Sequence, residues 1–382
     1  MQHMNGCTLI LTFTFHANEK LKKINKNLVK REGKSMEWIP CEEQAGTLGS
    51  REGHCATCLL DPATGEEWVM CVGGYCEGER DGKVMVSKVF QKPVLCWITV
   101  AKHLPCFECD GASLTRVGND AAVAYMFGGL DAEMNLCNRL LQVGLHFEEG
   151  SPTLHVGDLQ TTGNCPPPRS QHSAGGTVTH LFVFGGETDS AEQTNDMYML
   201  DITTLVWTLI KVESPAPSPR RLAGSLLFVL PHVCVLYGGA HFVGGDIESL
   251  DDVWSCDLSS VCVWTRLQGN DGDTEFVFPR SNGHAGGLLR GNEKVSALFL
   301  GGKDAAEGCD KVKQVQWCKS WKSVFRLRLL EPTFKCSEGP HWRYTPVVVE
   351  TRQGLLLMGG QCRHPQDVAA FYLKCVTDID RL

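Results

Sequence analysis

Residues 181–186, LFVFGG, decide the fold, because a short apolar run that ends in two adjacent glycines recurs along the chain. Equivalent glycine pairs lie at 73–74, 128–129, 238–239, 301–302 and 359–360, so successive pairs are 53 to 63 residues apart. The runs before them are rich in β-branched and aromatic residues and too short for buried helices, which predicts β-strands. A strand-rich repeat of this length is typical of one blade of a propeller.

Other features recur in phase with the glycines. The stretch RSQH at 169–172 precedes one of the apolar runs, the acidic and aromatic stretch NDMYMLD at 195–201 follows it, and Trp207 comes next. In this combination the chain resembles kelch repeats over about residues 36–382. The resemblance implies an all-β fold, a six-bladed kelch-type β-propeller.

The two ends of the repeat array indicate how the ring closes. The last unit ends without a tryptophan strand, whereas Trp38 stands 13 residues before Arg51, the same distance that separates Trp207 from Arg220. We therefore expect an N-terminal strand to join the last blade and remove the open sheet edges. The predicted domains are a basic flexible extension over 1–35 and the propeller over 36–382.

Composition and charge narrow the class of protein. The chain has 382 residues, of which 43% are hydrophobic, and its 19 cysteines are odd in number and scattered, which favours a reducing, cytoplasmic setting. Residues 1–35 hold seven basic and two acidic side chains, a net charge of +5, so the remainder carries −13. An acidic propeller argues against nucleic acid as a partner. No run is long enough to span a membrane, no cofactor is expected, and a monomer is predicted.

The glycine pairs themselves favour architecture over chemistry. A phosphate-binding glycine loop requires a following helix and a Lys-Ser or Lys-Thr pair, and neither follows any of the six. Two Cys-x-x-Cys pairs have zinc-ligand spacing, but Cys55 and Cys58 lie on opposite faces of a regular strand.

The loops after the glycine pairs are the candidate partner-binding surface, since loops carry recognition on a rigid scaffold. The longest follows Gly239 and contains Phe242, for which exposure at an interface and packing on the neighbouring blade are both open. Acidic loop residues favour a peptide that bears Lys or Arg. The candidates are His241, Phe242, Val243, Asp246, Glu187, Asp189, Asp271, Asp273 and Glu275.

Three arginines follow prolines or precede strands at one repeat position: Arg169, Arg220 and Arg280. Equivalent arginines in some kelch domains line the central channel and hold acidic peptides, so the resemblance makes them candidates for partner binding. A residue repeated in nearly every blade also suits a structural ion pair between adjacent blades. Both interpretations stay open.

Enzymatic alternatives have weaker support. Glu248, Asp252 and Cys256 have a spacing similar to the iron-binding pattern of nitrile-specifier kelch proteins, although that pattern ends in His. Asp252 is also the ordinary acidic residue of the repeat, so coincidence explains part of the match. We expect no enzyme and no F-box or BTB domain, and predict a non-enzymatic protein–protein interaction module, a scaffold or adaptor. An iron-dependent specifier-like protein is the alternative.

Overall fold

The computed structural model describes residues 36–49, 51–76, 78–189, 192–244, 246–259, 262–267, 269–270, 275–276, 278–290, 294–304, 307–308, 313–318, 326–330, 343–362 and 370–375. The predicted basic extension over 1–35 lies outside these residues, so its separation from the propeller stays a prediction. In the described residues the only helix is a 3-10 turn at Pro105–Phe107. No helix in this part of the chain is long and apolar enough to cross a membrane.

Six antiparallel sheets of four main strands carry the fold, and we number them in chain order. Sheet 1 comprises Cys55–Leu60, Glu67–Val72, Val84–Lys88 and Val94–Ala101, with Glu42–Ala45 added in parallel at its outer edge. Sheet 2 comprises Ser113–Thr115, Val123–Phe127, Leu140–Glu148 and Ser151–Leu159. Sheet 3 comprises Ser173–Gly176, His180–Phe184, Met197–Asp201 and Val206–Ile210, with Thr162–Gly163 added in parallel.

The other three sheets follow the same plan. Sheet 4 comprises Leu227–Leu230, Val233–Tyr237, Val253–Asp257 and Val263–Leu267. Sheet 5 comprises Asn282–Arg290, Lys294–Asp304, Lys313–Cys318 and Arg326–Leu330, and Glu307–Gly308 pairs with its second strand. Sheet 6 comprises Val347–Thr351, Gly354–Met358, Ala370–Cys375 and, as its outer strand, Met36–Pro40.

Sheet 6 is composite, whereas the main strands of the other five sheets are consecutive in the sequence. Met36–Pro40 runs antiparallel to Ala370–Cys375 with Trp38 opposite Leu373, so the closure predicted from Trp38 is confirmed. The inner strands of neighbouring sheets contact each other in numerical order, and the inner strand of sheet 6 contacts that of sheet 1. The all-β propeller architecture is therefore confirmed.

The core lies between successive sheets. The outer-strand tryptophan of one sheet packs on the phenylalanine that precedes the glycine pair of the sheet before it: Trp207 lies 5.3 Å from Phe127, and Trp264 lies 5.3 Å from Phe184, between ring centroids. Both tryptophans are almost fully buried. The recurring tryptophan and apolar runs of the sequence thus become the contacts between sheets, because each sheet must bury both faces.

Short two-stranded ladders stand at the end of the sheets where the second strands reach their glycine pairs. We call this end the loop face. The ladders pair Tyr75–Cys76 with Glu79–Arg80, Cys109–Asp110 with Leu130–Asp131, Arg169–Ser170 with Glu187–Thr188, Ala240–Val243 with Asp246–Ser249, Gly269–Asn270 with Glu275–Phe276, and Arg343–Tyr344 with Gln361–Cys362.

Candidate functional site

The glycine pairs fasten each sheet to the next at the loop face. A Cβ atom on Gly185 would lie 2.7 Å from the carbonyl oxygen of Arg220, and the N–H of Gly186 donates a hydrogen bond of 2.9 Å to the same oxygen. Both glycines have positive φ, which a side chain would strain. The architectural interpretation of the pairs is confirmed, since the backbone of the next sheet occupies the space of a side chain.

A ring of backbone hydrogen bonds surrounds the mouth of the central channel. Each ring residue donates its N–H to the carbonyl oxygen of the previous one at 2.7 to 3.0 Å, and Gly53 closes the ring by donating to the Oγ1 of Thr345 at 3.3 Å. One residue comes from the start of each sheet. The members of this mouth ring are Gly53, Gly111, Gln171, Leu222, Gly283 and Thr345.

All six members of the mouth ring have φ between +52° and +66°. Glycine adopts this conformation freely, but Gln171, Leu222 and Thr345 do not, and for the β-branched Thr345 it is a marked outlier. Such strain persists only where the surroundings hold it. Sequence reasoning missed the ring; its signal is the position two residues after Arg51, Arg169, Arg220 and Arg343, to which Gly111 and Gly283 correspond in the other two sheets.

The repeated arginines Arg169 and Arg220 are buried within their own sheets. Arg220 donates to both carboxylate oxygens of Asp252, at 2.6 and 2.8 Å, and to the carbonyl oxygen of Gly238 at 2.8 Å. Arg169 does the same with Asp196 and Gly185. The ion pair therefore braces the loop that follows the glycine pair of the same sheet. The structural interpretation is correct in kind, but the pair does not link adjacent sheets.

The carboxylates of these pairs stay charged. Burial alone would raise the pKa of Asp252, but the hydrogen bonds and charge of Arg220 outweigh it and hold the pKa below its ordinary value. The same balance with Arg169 lowers the pKa of Asp196. The guanidinium groups of Arg169 and Arg220 use their paired N–H donors in these structural bonds. They therefore have no pair of N–H groups left for a bidentate bond to a ligand.

Arg280 does not occupy the position that Arg169 and Arg220 share, so the prediction that it is equivalent to them is wrong. The N–H of Gly239 donates to the carbonyl oxygen of Ser281, which is buried at the position that Arg220 holds in sheet 4. Sheet 5 has one more residue between its arginine and its histidine than sheet 3 has, which displaces Arg280 outward by one position. Its exposed side chain pairs with Glu248 at 2.9 Å.

The structure separates the three residues of the iron hypothesis. Asp252 is taken up by Arg220 and by the indole N–H of Trp254 at 2.7 Å, and Glu248 is half-exposed and bonds Arg280. Cys256 is fully buried, with its Sγ 3.3 Å from that of Cys262. No group of three ligating side chains in the described residues converges to hold a metal ion.

The long loop after Gly239 is a β-hairpin, Ala240–Val243 with Asp246–Ser249. Phe242 and Ile247 stand opposite each other in this hairpin and are 47% and 50% exposed. Sheet 3 supports Phe242, whose N–H donates to the Oε1 of Gln193 at 2.8 Å. The guanidinium of Arg221, in the segment that leads into sheet 4, lies 5.9 Å from the Phe242 ring. Phe242 is therefore held by the neighbouring sheet and also half-exposed to solvent.

The other candidates around the hairpin differ in what the structure shows. His241 is bonded through Nδ1 to the carbonyl oxygen of Pro219 at 2.9 Å, Asp246 is exposed at the tip, and Val243 faces it in the backbone register. Glu187 forms an ion pair with Arg221, and Asp189 is exposed. Asp271 and Asp273 lie outside the described residues, and Glu275 is placed only by its backbone, opposite Asn270.

A cavity of about 1160 Å³ lies at the mouth ring and is lined by the inner strands of five sheets and, ahead of the inner strand of sheet 4, by Leu222, Gly224 and Ser225. Its wall inside the ring is made of small and apolar residues such as Ala56, Ala174 and Val348. The charged residues of its lining all come from sheet 1 and from the segment that leads into sheet 2. The cavity therefore has one charged side and one uncharged side.

Three histidines at one repeat position line this cavity: His54, His172 and His284. His54 and His172 are buried, and burial, followed by the charge of Arg51 or Arg169, lowers the pKa of each to about 3, so both are neutral. His172 Nε2 lies 2.9 Å from Ser113 Oγ of the preceding sheet. For His54 the preceding sheet is sheet 6, where Val347 stands at the strand position that Ser113 holds in sheet 2. Neither ring nitrogen of His54 has a hydrogen-bond partner among the described residues.

The cysteines of the described residues form no disulfide with one another and are mostly buried. Cys55 packs in the core between sheets 1 and 2 and Cys58 in the core between sheets 6 and 1, so the two point to opposite faces of their strand as predicted. Burial raises the pKa of Cys58 and of Cys109 to about 12, which leaves them as poor nucleophiles at neutral pH.

Comparison with known proteins agrees with this geometry. A family profile described as the KLHDC2/KLHL20/DRC7 Kelch-repeats domain matches residues 53–295 and 111–360. The solved "Structure of YjhT" has a TM-score of 0.56 and 16% identity, and the match covers 87% of this chain and 97% of that one. At this identity it shows the fold alone.

Curated relatives carry the same region within longer chains. Acyl-CoA-binding domain-containing protein 4 of Arabidopsis thaliana is 28% identical over 57% of this chain and 31% of its own length. F-box/kelch-repeat protein At1g51550 of Arabidopsis thaliana is 30% identical over 61% and 48%, and Dynein regulatory complex subunit 7 of Chlamydomonas reinhardtii is 32% identical over 37% and 11%. The chain thus spans less than half of each of these relatives. Because the family profile covers most of the described propeller, the chain belongs to the kelch-repeat family.

Proposed function

We propose that this chain is a non-enzymatic protein–protein interaction module that binds a partner protein through its loop face. The observation that carries the proposal is the hairpin after Gly239, which holds Phe242 and Ile247 half-exposed side by side on a supported scaffold. Aromatic side chains fixed in this way act as anchors at protein interfaces. The kelch relatives, among them the F-box/kelch-repeat protein, are consistent with an interaction role.

We further propose that the six sheets are six blades of one ring and that the protein acts as a cytoplasmic scaffold or adaptor. The cyclic contacts of the inner strands and the six-membered mouth ring support this blade count. The odd number and scattered positions of the 19 cysteines support a reducing compartment. Asp246 at the hairpin tip, Asp189 and Glu187 add acidic side chains to the proposed surface. The sequence also proposes Asp271, Asp273 and Glu275 as members of it.

The test is affinity capture with the full chain as bait, followed by mass spectrometry and by reconstitution with the purified partner. The double variant Phe242→Asp, Ile247→Asp is expected to lose the partner, because two charges would replace the apolar anchor. Val178→Asp is the matched control, since Val178 is 57% exposed in the turn Thr177–His180 at the opposite end of sheet 3. Equal capture by both variants would refute a role for the hairpin.

A further inference from the structure

Three cysteines of sheet 4 meet in the core between sheets 3 and 4. Cys234 lies directly opposite Cys256 on the neighbouring strand, and Cys262 stands just before Val263, where the outer strand begins. Cys256 is 0% exposed and Cys262 is 5% exposed. Their Sγ atoms are 3.3 Å apart, which is about 1.3 Å longer than a covalent S–S bond. The fold therefore holds two thiols in direct contact with each other.

Packing alone does not account for cysteine at these positions. In sheet 3 the same three positions, fixed by their register to the outer-strand tryptophan, hold Leu181, Leu200 and Leu205. Leucine is an ordinary core residue, and sheet 3 builds the same strand arrangement with it. The chemistry of sulfur, and not the need for an apolar filler, is what distinguishes sheet 4 from its neighbour at this point.

The position of Cys262 allows the two sulfurs to approach further. The ladder between the third and outer strands joins Val253–Asp257 to Val263–Leu267, so Cys262 lies just outside it. Its backbone makes no hydrogen bond to another backbone group within the part of the chain that the structure describes. Cys256, in contrast, is fixed in the ladder opposite Trp264. A small movement of the turn can therefore join the sulfurs without breaking a bond of the ladder.

The turn that carries Cys262 lies at the protein surface, although the thiol itself is buried. Ser259 is exposed, and Val263 is 53% exposed. The contact with Cys256, together with burial, raises the pKa of Cys262, so little thiolate is present at neutral pH. Because the thiolate is the species that reacts, this pair is expected to stay reduced during brief contact with an oxidant and to respond to sustained oxidation.

We propose that Cys256 and Cys262 are a redox site, which forms an intramolecular disulfide when the protein is exposed to a peroxide. Both S–H bonds break and one S–S bond forms, while the two protons and two electrons pass to hydrogen peroxide and yield two molecules of water. The bond ties the third strand of sheet 4 to its outer strand. The strand Val253–Asp257 follows the Phe242 hairpin in the chain, but the redox site does not rest on the proposed function.

The experiment oxidises the folded full chain with hydrogen peroxide, blocks the remaining thiols with N-ethylmaleimide and maps disulfides by mass spectrometry without reduction. A linkage between Cys256 and Cys262 is expected in the wild type, and dithiothreitol is expected to reverse it. Cys165→Ser is the matched control, because it removes an exposed thiol and is expected to keep the linkage. Cys262→Ala is expected to lose it.

The pH dependence of the reaction tests the buried character of the pair. The rate of linkage is expected to rise about tenfold per pH unit between about pH 7 and 9, because the thiolate fraction of a group with a raised pKa increases in that proportion. A rate that does not change with pH in this range would contradict reaction through the buried thiols.

Trp264 offers an optical readout, since it stands opposite Cys256 and a disulfide quenches a neighbouring indole. The tryptophan fluorescence of the wild type is expected to fall on oxidation and to recover on reduction, whereas that of Cys262→Ala is expected to stay constant. Thermal unfolding of the reduced proteins establishes that this variant is folded. An equal response of the two proteins would contradict the assignment to this pair.

Three results of the disulfide mapping would overturn the proposal. They are the absence of the linkage in the folded wild type, a linkage of Cys256 to Cys234 in its place, and a linkage that forms only after unfolding in urea. None of these results bears on partner capture by the Phe242 hairpin, so failure of the redox site and failure of the proposed function are distinguishable.

Discussion

At the scale of single residues, the repeated arginines show how a repeat position serves the fold. Arg169 and Arg220 are among the largest fully buried side chains, and each spans a carboxylate and a glycine carbonyl of its own sheet. A buried guanidinium is tolerated only with such partners, since burying an uncompensated charge is costly. The residues that are free to recognise a partner are therefore the neighbours of these arginines and not the arginines themselves.

Asp252→Asn is expected to lower the free energy of unfolding by about 3 kcal/mol, because it leaves the buried charge of Arg220 without its counter-ion. The measurement is urea unfolding monitored by tryptophan fluorescence. Asp158→Asn is the control, since Asp158 pairs with Arg139 at the surface and its loss is expected to cost about 0.5 kcal/mol or less. Similar losses for the two variants would contradict the structural role of the buried pair.

At the scale of an element, each glycine pair joins a strand end to the backbone of the next sheet. At four of the six pairs, 73–74, 128–129, 185–186 and 238–239, the first glycine leaves room for a carbonyl oxygen of the next sheet, and the second donates to that oxygen. Two separate requirements act here, a positive φ and a close approach. The sequence shows the glycines but does not tell which requirement dominates.

Gly185→Ala and Gly150→Ala separate the two requirements. Gly150 also has positive φ but a Cβ there would have no atom within 4 Å, so we expect a loss of only about 1 kcal/mol. At Gly185 the added methyl would meet the Arg220 carbonyl at 2.7 Å, and we expect a loss of about 3 kcal/mol or failure to fold. Thermal denaturation of both variants is the measurement; equal stabilities would show that close packing between sheets is not what the pair requires.

At the scale of the whole molecule, closure depends on a strand from the far end of the chain. Met36–Pro40 covers the edge of Ala370–Cys375, and Trp38 packs edge-on against Phe371 with centroids 6.3 Å apart. Without this strand, sheet 6 would expose an unpaired edge.

Trp38→Ala is expected to cost about 3 kcal/mol through the cavity it leaves. It should also speed amide hydrogen exchange in Ala370–Cys375 and in the inner strand Val347–Thr351 more than in sheet 3. Hydrogen exchange followed by mass spectrometry measures this, with Trp207→Ala as a control that removes an equivalent tryptophan within a sheet of consecutive strands. If the two variants loosened sheet 6 equally, the closure would have no special role.

The sequence by itself determined the propeller, its repeat and its point of closure. Periodic glycine pairs, apolar runs and tryptophans are set by local geometry and by the need of each sheet to bury its faces, so they are visible in the chain. It also indicated Phe242, because an aromatic residue in a long loop departs from the repeat. Its assignment of Arg280 failed, since one extra residue shifts the register without changing residue types.

Only the tertiary structure decided which side chains meet at the channel mouth. Glu52, Glu79 and Glu108 are spread over more than fifty residues of sequence, yet the ring brings them to one wall. The partnerless state of His54 likewise depends on Val347, nearly three hundred residues away, because the last sheet and the first become neighbours only when the ring closes. Contacts between the ends of a closed ring carry no local pattern, and the charge of the mouth is therefore a property of the folded molecule alone.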